Sequence, residues 1–273
     1  PGRYALITIN ASNESIEYEF YDTRHLLGSR LTDLVQVGRN RVEQFSELGI
    51  TSPDEITEER RAELEALPGA SSWHVDRWIA HRQAFENDEV VILNKSAFDD
   101  LHDTEPLLLD IETDLQQDRI WLVGTYSYQN DAYRQFFEPD DESALLQELS
   151  EYLDDHSSEP IIYYGGNYFD EQCLSRRFDE HGITEGIDHL ERAHDLGITA
   201  QQELFGPFNR HTLDVVASAL CFEYQDPTVD GFVVGSKYTR YLLDGEEPAW
   251  DRLKQYNIDD VTALRTIVNH IRS

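Results

Sequence analysis

The chain has 273 residues, 40% hydrophobic and 11% aromatic, enough for one sizeable domain with a smaller companion and too apolar for an acidic disordered protein. Its formal net charge is −32, and three lysines (Lys95, Lys237, Lys254) stand against nineteen arginines. That balance excludes the basic footprint of an ordinary nucleic-acid binder and is the habit of proteins bathed in molar salt, where self-repulsion is screened and hydrated carboxylates keep the chain soluble.

Residues 3–25 read as a β-hairpin, with apolar alternation over 4–9, a turn through Asn10 to Asn13, then Ile16, Tyr18 and Phe20 alternating with polar residues. Residues 31–51 read as helix, tight glycine turn, helix and glycine stop, and residues 64–79 repeat the plan after a spacer. Residues 86–105 connect these parts to the rest, with a strand at 90–93. An apolar run at 107–109 then enters Asp110-Ile111-Glu112, and Ile120 to Gly124 follows a polar break, which predicts two buried strands joined by a turn. A strand's period of two projects Asp110 and Glu112 from one face and Ile111 from the other. Such a pair repels unless a cation sits between, and hard divalent ions with oxygen ligands suit it. The bland alternative is a solvated pair at a strand end.

Further on, Pro160 to Gly166 reads as an apolar strand ending in two glycines, and residues 168–178 open a helix. That places Asp170 near the carboxyl edge of a sheet, where α/β proteins build their sites; the alternative is a helix-terminal carboxylate favoured by the macrodipole. His194-Asp195 is expected to be structural. Residues 250–270 carry apolar positions at helical spacing, so an amphipathic C-terminal helix is predicted. Tyr256 and Asp260, four apart, are neighbours on one face of it, a phenol beside a carboxylate. Asp259 is expected at the surface.

Residues 1–98 hold a net charge of −7 and the remainder −25, so the front part is less repulsive to a polyanion. Cys173 and Cys221 form no metal-ligand pattern and suit a reducing interior. There is no apolar run of eighteen residues and no signal-like start, so neither membrane span nor export is expected, and the lack of methionine points to a removed initiator or a trimmed chain. A potassium chloride-rich cytoplasm, as in halophilic archaea, is the expected setting.

The order Asp110-x-Glu112, then Asn167-x-Phe169-Asp170-x-x-x-Leu174, then Tyr256-x-x-x-Asp260 resembles the DEDD superfamily of RNase H-like 3′–5′ exonucleases in its tyrosine-bearing branch. The surrounding text resembles the YprB-like predicted nucleases: Leu107-Leu-Leu-Asp110-Ile-Glu112-Thr113, Gln135-Phe-Phe137 with Glu142, and Tyr256-Asn257-x-x-Asp260-Val261. The likeness covers roughly residues 104–273. It implies a two-metal site for Mg²⁺ or Mn²⁺ held by Asp110, Glu112, Asp170 and Asp260, with Asp110 bridging and Tyr256 orienting the attacking water. Many relatives place His-Asn before the second motif's glycine, where this chain has Tyr163-Tyr164-Gly165-Gly166-Asn167, so substrate contacts there stay unassigned.

Residues 31–51 and 64–79 in turn resemble tandem helix-hairpin-helix motifs. The resemblance implies that backbone N–H groups at the start of each second helix hold a phosphate, with Gly38, Arg39, Arg41 and Gly69 as the nucleic-acid contacts. Gln36 replaces the first turn glycine in one unit and Ser71 the second in the other, and a helical packing or protein-docking module is the alternative. The expected fold is α/β: an RNase H-like mixed sheet flanked by helices over 104–273, preceded by a hairpin (1–25), a small helical module (26–85) and a connector (86–103). The expected function is metal-dependent phosphodiester hydrolysis, as a 3′–5′ exonuclease on single-stranded DNA or RNA. The alternatives are a structure-selective endonuclease on branched or flapped DNA, and a catalytically silent nucleic-acid-binding protein.

Overall fold

A computed structural model of the chain describes residues 28–273, together with the backbone of residues 10–12 and 15–17. Two short strands, β1 (Asn10–Ser12) and β2 (Ser15–Glu17), pair antiparallel with Ala11 opposite Ile16. A hairpin is therefore present, but Asn10 to Ser12, expected in its turn, are strand. The outer parts of the expected hairpin, residues 4–9 and 18–20, lie outside the described residues.

The chain continues through α1 (Arg39–Glu47), α2 (Arg61–Glu65), α3 (Ser72–Asn87) and β3 (Val91–Ile92), then α4 (Asp99–His102), β4 (Leu107–Thr113), β5 (Ile120–Ser127) and β6 (Ala132–Phe137). It goes on through α5 (Glu142–Asp155), β7 (Ile161–Tyr163), α6 (Phe169–Glu180), α7 (Thr184–Leu190), β8 (Ala193–Asp195) and α8 (Leu196–Glu203). It ends with β9 (Leu204–Phe205), α9 (Leu213–Ala219), α10 (Gly231–Asp244) and α11 (Trp250–Arg272). Two compact units result, one of residues 1–95 and 200–221, the other of residues 96–199 and 222–273.

In the first unit the two predicted repeats share a backbone plan although their helices differ in length. The helix expected at the start of the first is a single 3₁₀ turn, Leu31–Asp33. Gln36 and Gly69, equivalent in the two repeats, both adopt left-handed backbone, at φ 56° and 72°. Two residues later Gly38 and Ser71 are the extended N-cap residues of α1 and α3. Phe45, Ile50, Ile56, Leu64, Val75 and Trp78 make a common core in which Phe45 meets Trp78 edge to face, 5.1 Å between centroids. Arg77 is buried against Glu203 at 2.5 Å and packs over the Trp73 ring. The strand expected at 90–93 is β3, paired antiparallel with β9.

The second unit is an α/β domain built on a five-stranded mixed sheet in the order β6-β5-β4-β7-β8. Strands β6, β5 and β4 run antiparallel, while β7 and β8 run parallel to β4. Alternation along β4 sorts its two faces. Leu107, Leu109 and Ile111 join a core with Leu145, Leu149 and Leu153 of α5 and Leu174 and Phe178 of α6. The other face of the sheet is covered by α10 and α11, where Trp121 and Leu122 pack with Val234, Tyr238 and Leu253. On the α5 and α6 side, Glu142 of α5 ties helix to sheet, accepting from the Ile120 amide at 2.7 Å and from Arg177 of α6. Among the described residues no helix is long and apolar enough to cross a membrane.

Candidate metal centre

The face of β4 toward α11 holds the first two acids. Asp110 is half-buried and Glu112 almost wholly buried. From α11, Asp260 reaches the same place, so that one carboxylate oxygen from each of Asp110, Glu112 and Asp260 lies within 4.8 Å of the others. Asp170 stands in the first turn of α6, buried and close enough for its charge to act on Asp110 and Glu112, though outside that group of three. The Asp195 carboxylate folds the loop before it, accepting from the amides of Gly165, Gly166, Gly197 and Tyr168 at 2.8–3.1 Å. The structural role expected of Asp195 is thus to shape the turn that presents Asp170.

Without a cation this arrangement is electrostatically expensive. Burial pushes the Asp110 carboxyl well above the ordinary range, reinforced by Asp260, Glu112 and Asp170, and a hydrogen bond from Asn257 opposes the rise. Glu112 is raised by burial and then by Asp260 and Asp170. Asp170 is pushed up to about 7, chiefly by burial. Among the described residues, Oε1 of Glu112 is buried with no hydrogen-bond partner. An orphaned acidic oxygen beside two further carboxylates is the donor set that a hard divalent cation completes. Asp110, Glu112 and Asp260 fit such an ion.

Tyr256, one turn before Asp260 on α11, hydrogen-bonds that carboxylate, and burial followed by the charges of Asp260, Glu112 and Asp110 raises its phenol strongly. It is held as a neutral hydroxyl. Two residues to which the sequence reading gave no role also reach the centre. The Tyr224 hydroxyl donates to Oδ1 of Asp260 at 2.9 Å, its ring stacked with that of Tyr256. A lone tyrosine in a connecting segment carries no periodic signal that could have announced it. Asn257, fully buried, donates to Oδ2 of Asp110 at 2.7 Å. Asp259, expected at the surface, is buried: the Gln225 amide and the Gln255 side chain donate to its oxygens at 2.7 and 2.9 Å and offset its desolvation.

The four residues expected to contact nucleic acid lie in the first unit. Gly38 and Arg39 are exposed at the start of α1, and Gly69 lies in the turn that precedes α3. Arg41 is half-buried, bonded to the carbonyls of Pro68 and Gly69 at 3.3 and 3.2 Å, its guanidinium over the Trp78 ring. It braces the second turn against the first.

Comparison with known proteins bears on the second unit. The model of one protein family, described as the RNase H superfamily, matches residues 107–272. No curated protein matches the chain. Among solved structures, the family B DNA polymerase from the hyperthermophilic archaeon Pyrobaculum calidifontis is similar over 62% of this chain at 18% identity and a TM-score of 0.46. The chain spans 24% of that polymerase's length.

Proposed function

The chain belongs to the RNase H superfamily, and from that premise we propose that its acidic centre is the metal site of a nuclease, a 3′–5′ exonuclease on single-stranded DNA or RNA. The observation that carries the reading is the meeting of Asp110, Glu112 and Asp260 around the unpaired Glu112 oxygen. Those three would hold Mg²⁺ or Mn²⁺, with Asp170 at the margin for a second ion. Such ions, when bound, supply the positive charge that makes water nucleophilic near neutral pH and that steadies the departing oxygen.

The chain's own groups do the rest. Tyr256, kept protonated, can orient the attacking water by hydrogen bonding but cannot act as an anionic base. The face of the sheet under α11 fixes Asp110 and Glu112 on a rigid strand, so little reorganisation is needed as charge develops. Replacing Tyr256 by Phe is expected to lower the single-turnover rate about ten- to a hundredfold, the scale of groups that orient a metal site's reactants, while the Mn²⁺-induced rise in melting temperature stays as in the wild type. An unaltered rate would remove Tyr256 from the chemistry.

The hairpins of the first unit support a second contact with the substrate backbone, through the amides that open α1 and α3 and through exposed Arg39. Arg39→Glu is expected to weaken binding of an oligonucleotide about tenfold in fluorescence anisotropy at 0.2 M KCl, with the single-turnover rate at saturation unchanged. Equal affinity would make the hairpins a packing or partner-docking element.

The test of the whole reading is digestion of end-labelled DNA and RNA oligonucleotides with Mg²⁺ or Mn²⁺ across salt up to molar KCl, beside a circular single strand. Stepwise shortening from the 3′ end of linear substrates supports the exonuclease. Cutting of the circle would make the protein an endonuclease, and binding without turnover under every condition would make it a silent nucleic-acid-binding member of the fold.

A further inference from the structure

Three strands set one row of residues side by side on the face beneath α11. Asp110 of β4 pairs in register with Gly124 of β5, and Gly124 pairs with Gln135 of β6. The middle position has no side chain. Asn257 of α11 occupies the space: a β-carbon on Gly124 would collide with its carboxamide and stand 3.0 Å from Cγ2 of Val261. From that gap its amide reaches both neighbours in the row. Nδ2 donates to Oδ2 of Asp110 at 2.7 Å, with the Asp110 carbonyl 3.4 Å away. Oδ1 accepts from Nε2 of Gln135 at 3.0 Å and from the Tyr133 hydroxyl at 3.1 Å.

The surrounding chemistry permits only one orientation of that amide. Gln135 must present its NH₂ group inward, because the same nitrogen donates to the Lys254 carbonyl at 2.9 Å, and a carbonyl only accepts. Oδ1 of Asn257 therefore faces Gln135, and its NH₂ faces the carboxylate. Asn257 is wholly buried and its donor is committed to an acid that the metal reading places on the ion. A purely space-filling residue in this gap would be apolar and would need neither Gln135 nor Tyr133.

From this geometry we infer that Asn257 is the positioning residue of the metal centre, holding one oxygen of Asp110 in place through a relay from Tyr133 and Gln135 so that the other would be left free to hold a cation. The inference rests on the metal reading of the centre. It also gives work to Gln135, which the chemistry of the acids leaves unexplained. Groups that orient metal ligands from behind typically matter ten- to a hundredfold in metal affinity or activity.

The experiment is Mn²⁺ titration calorimetry on the full chain, wild type and Asn257→Leu, with circular dichroism on each and steady-state kinetics on an oligonucleotide. Asn257→Leu keeps the bulk and removes the donor. It is expected to stay folded, to weaken Mn²⁺ binding about tenfold or more, and to lower kcat with little change in KM. Wild-type Mn²⁺ affinity in a folded Asn257→Leu would overturn the inference and leave the nuclease reading standing. Should Asn257→Leu fail to fold, Gln135→Leu and Tyr133→Phe, which remove one relay bond each, decide the matter: weaker Mn²⁺ binding in both supports it, and wild-type affinity in both overturns it. Absence of Mn²⁺ binding by the wild type would overturn both the inference and the reading beneath it.

Discussion

Asp110→Ala and Asp260→Ala are each expected to reduce metal-dependent hydrolysis about a thousandfold or more, the scale set by removing one element of a preorganised electrostatic site. The fold should survive. Asp110 contributes its side chain to the face of β4 opposite the packed core of Leu107, Leu109 and Ile111, and Asp260 lies in a long helix anchored by Val261, Leu264 and Ile267. Asp110→Asn and Asp260→Asn sharpen the test because they keep shape and remove charge. In metal-free buffer both should melt at a higher temperature than the wild type, since each relieves repulsion among buried carboxylates. Single-turnover cleavage and thermal melts on the same preparations check both halves. Wild-type turnover in either alanine variant would remove these acids from the reaction, and unchanged metal-free melting would show that the three charges are not held against one another.

Stability of the metal-free protein is expected to fall as pH rises from about 4 to about 7. The native carboxyls of Asp110, Glu112 and Asp170 bind protons more tightly than the same groups in an unfolded chain, so between the ordinary carboxylate range and their raised values the native state holds more protons. Raising pH through that window strips them and leaves buried like charges facing each other. Asp170 alone, moved from 3.8 to about 7, corresponds to roughly 4 kcal/mol at 1.36 kcal/mol per unit. Saturating Mn²⁺ or Mg²⁺ supplies the missing positive charge and should reverse the loss near neutrality, with little effect near pH 4, where protons occupy the ligands. Chelator should return the protein to the metal-free curve. Denaturant midpoints measured at pH 4 and pH 7, with metal and with chelator, decide it. A metal-free protein more stable at pH 7 than at pH 4, or indifferent to the ions at pH 7, would mean that the acids are compensated by some other group.

Much of the centre was legible because its pieces obey local periods. Two residues apart on a strand put Asp110 and Glu112 on one face, and four apart on a helix put Tyr256 beside Asp260. The structure keeps both relations. The glycine-ended strand before Asp170 also announced the turn that carries it, now shaped by Asp195. Readings that depended on what lies opposite a residue fared differently. Asp259 looks like a surface charge in the chain, and it is buried against a partner 34 residues away. Arg41, placed by resemblance among the phosphate contacts, donates to the carbonyls of the second turn, a partnership that the chain alone does not announce. Strand β6 and helices α5 and α10 went unread, although Gln135 ties β6 to α11, Glu142 ties α5 to β5 and Tyr238 ties α10 to the Pro139 carbonyl.

By itself, then, the sequence determined the class of fold, the acidic chemistry and the pairing of acids within each segment, since these follow from side-chain type and from the repeat of a strand or a helix. Tertiary structure decided that acids about 150 residues apart, joined in the sequence only by resemblance, share one site. It also decided that Asn257 fills the space over Gly124, that Tyr224 meets Asp260, and that Asp259 is sealed from water. The physical reason is that burial, hydrogen-bond partners and electrostatic strain are properties of what surrounds a group. Those surroundings exist only once distant segments of the chain have been packed together.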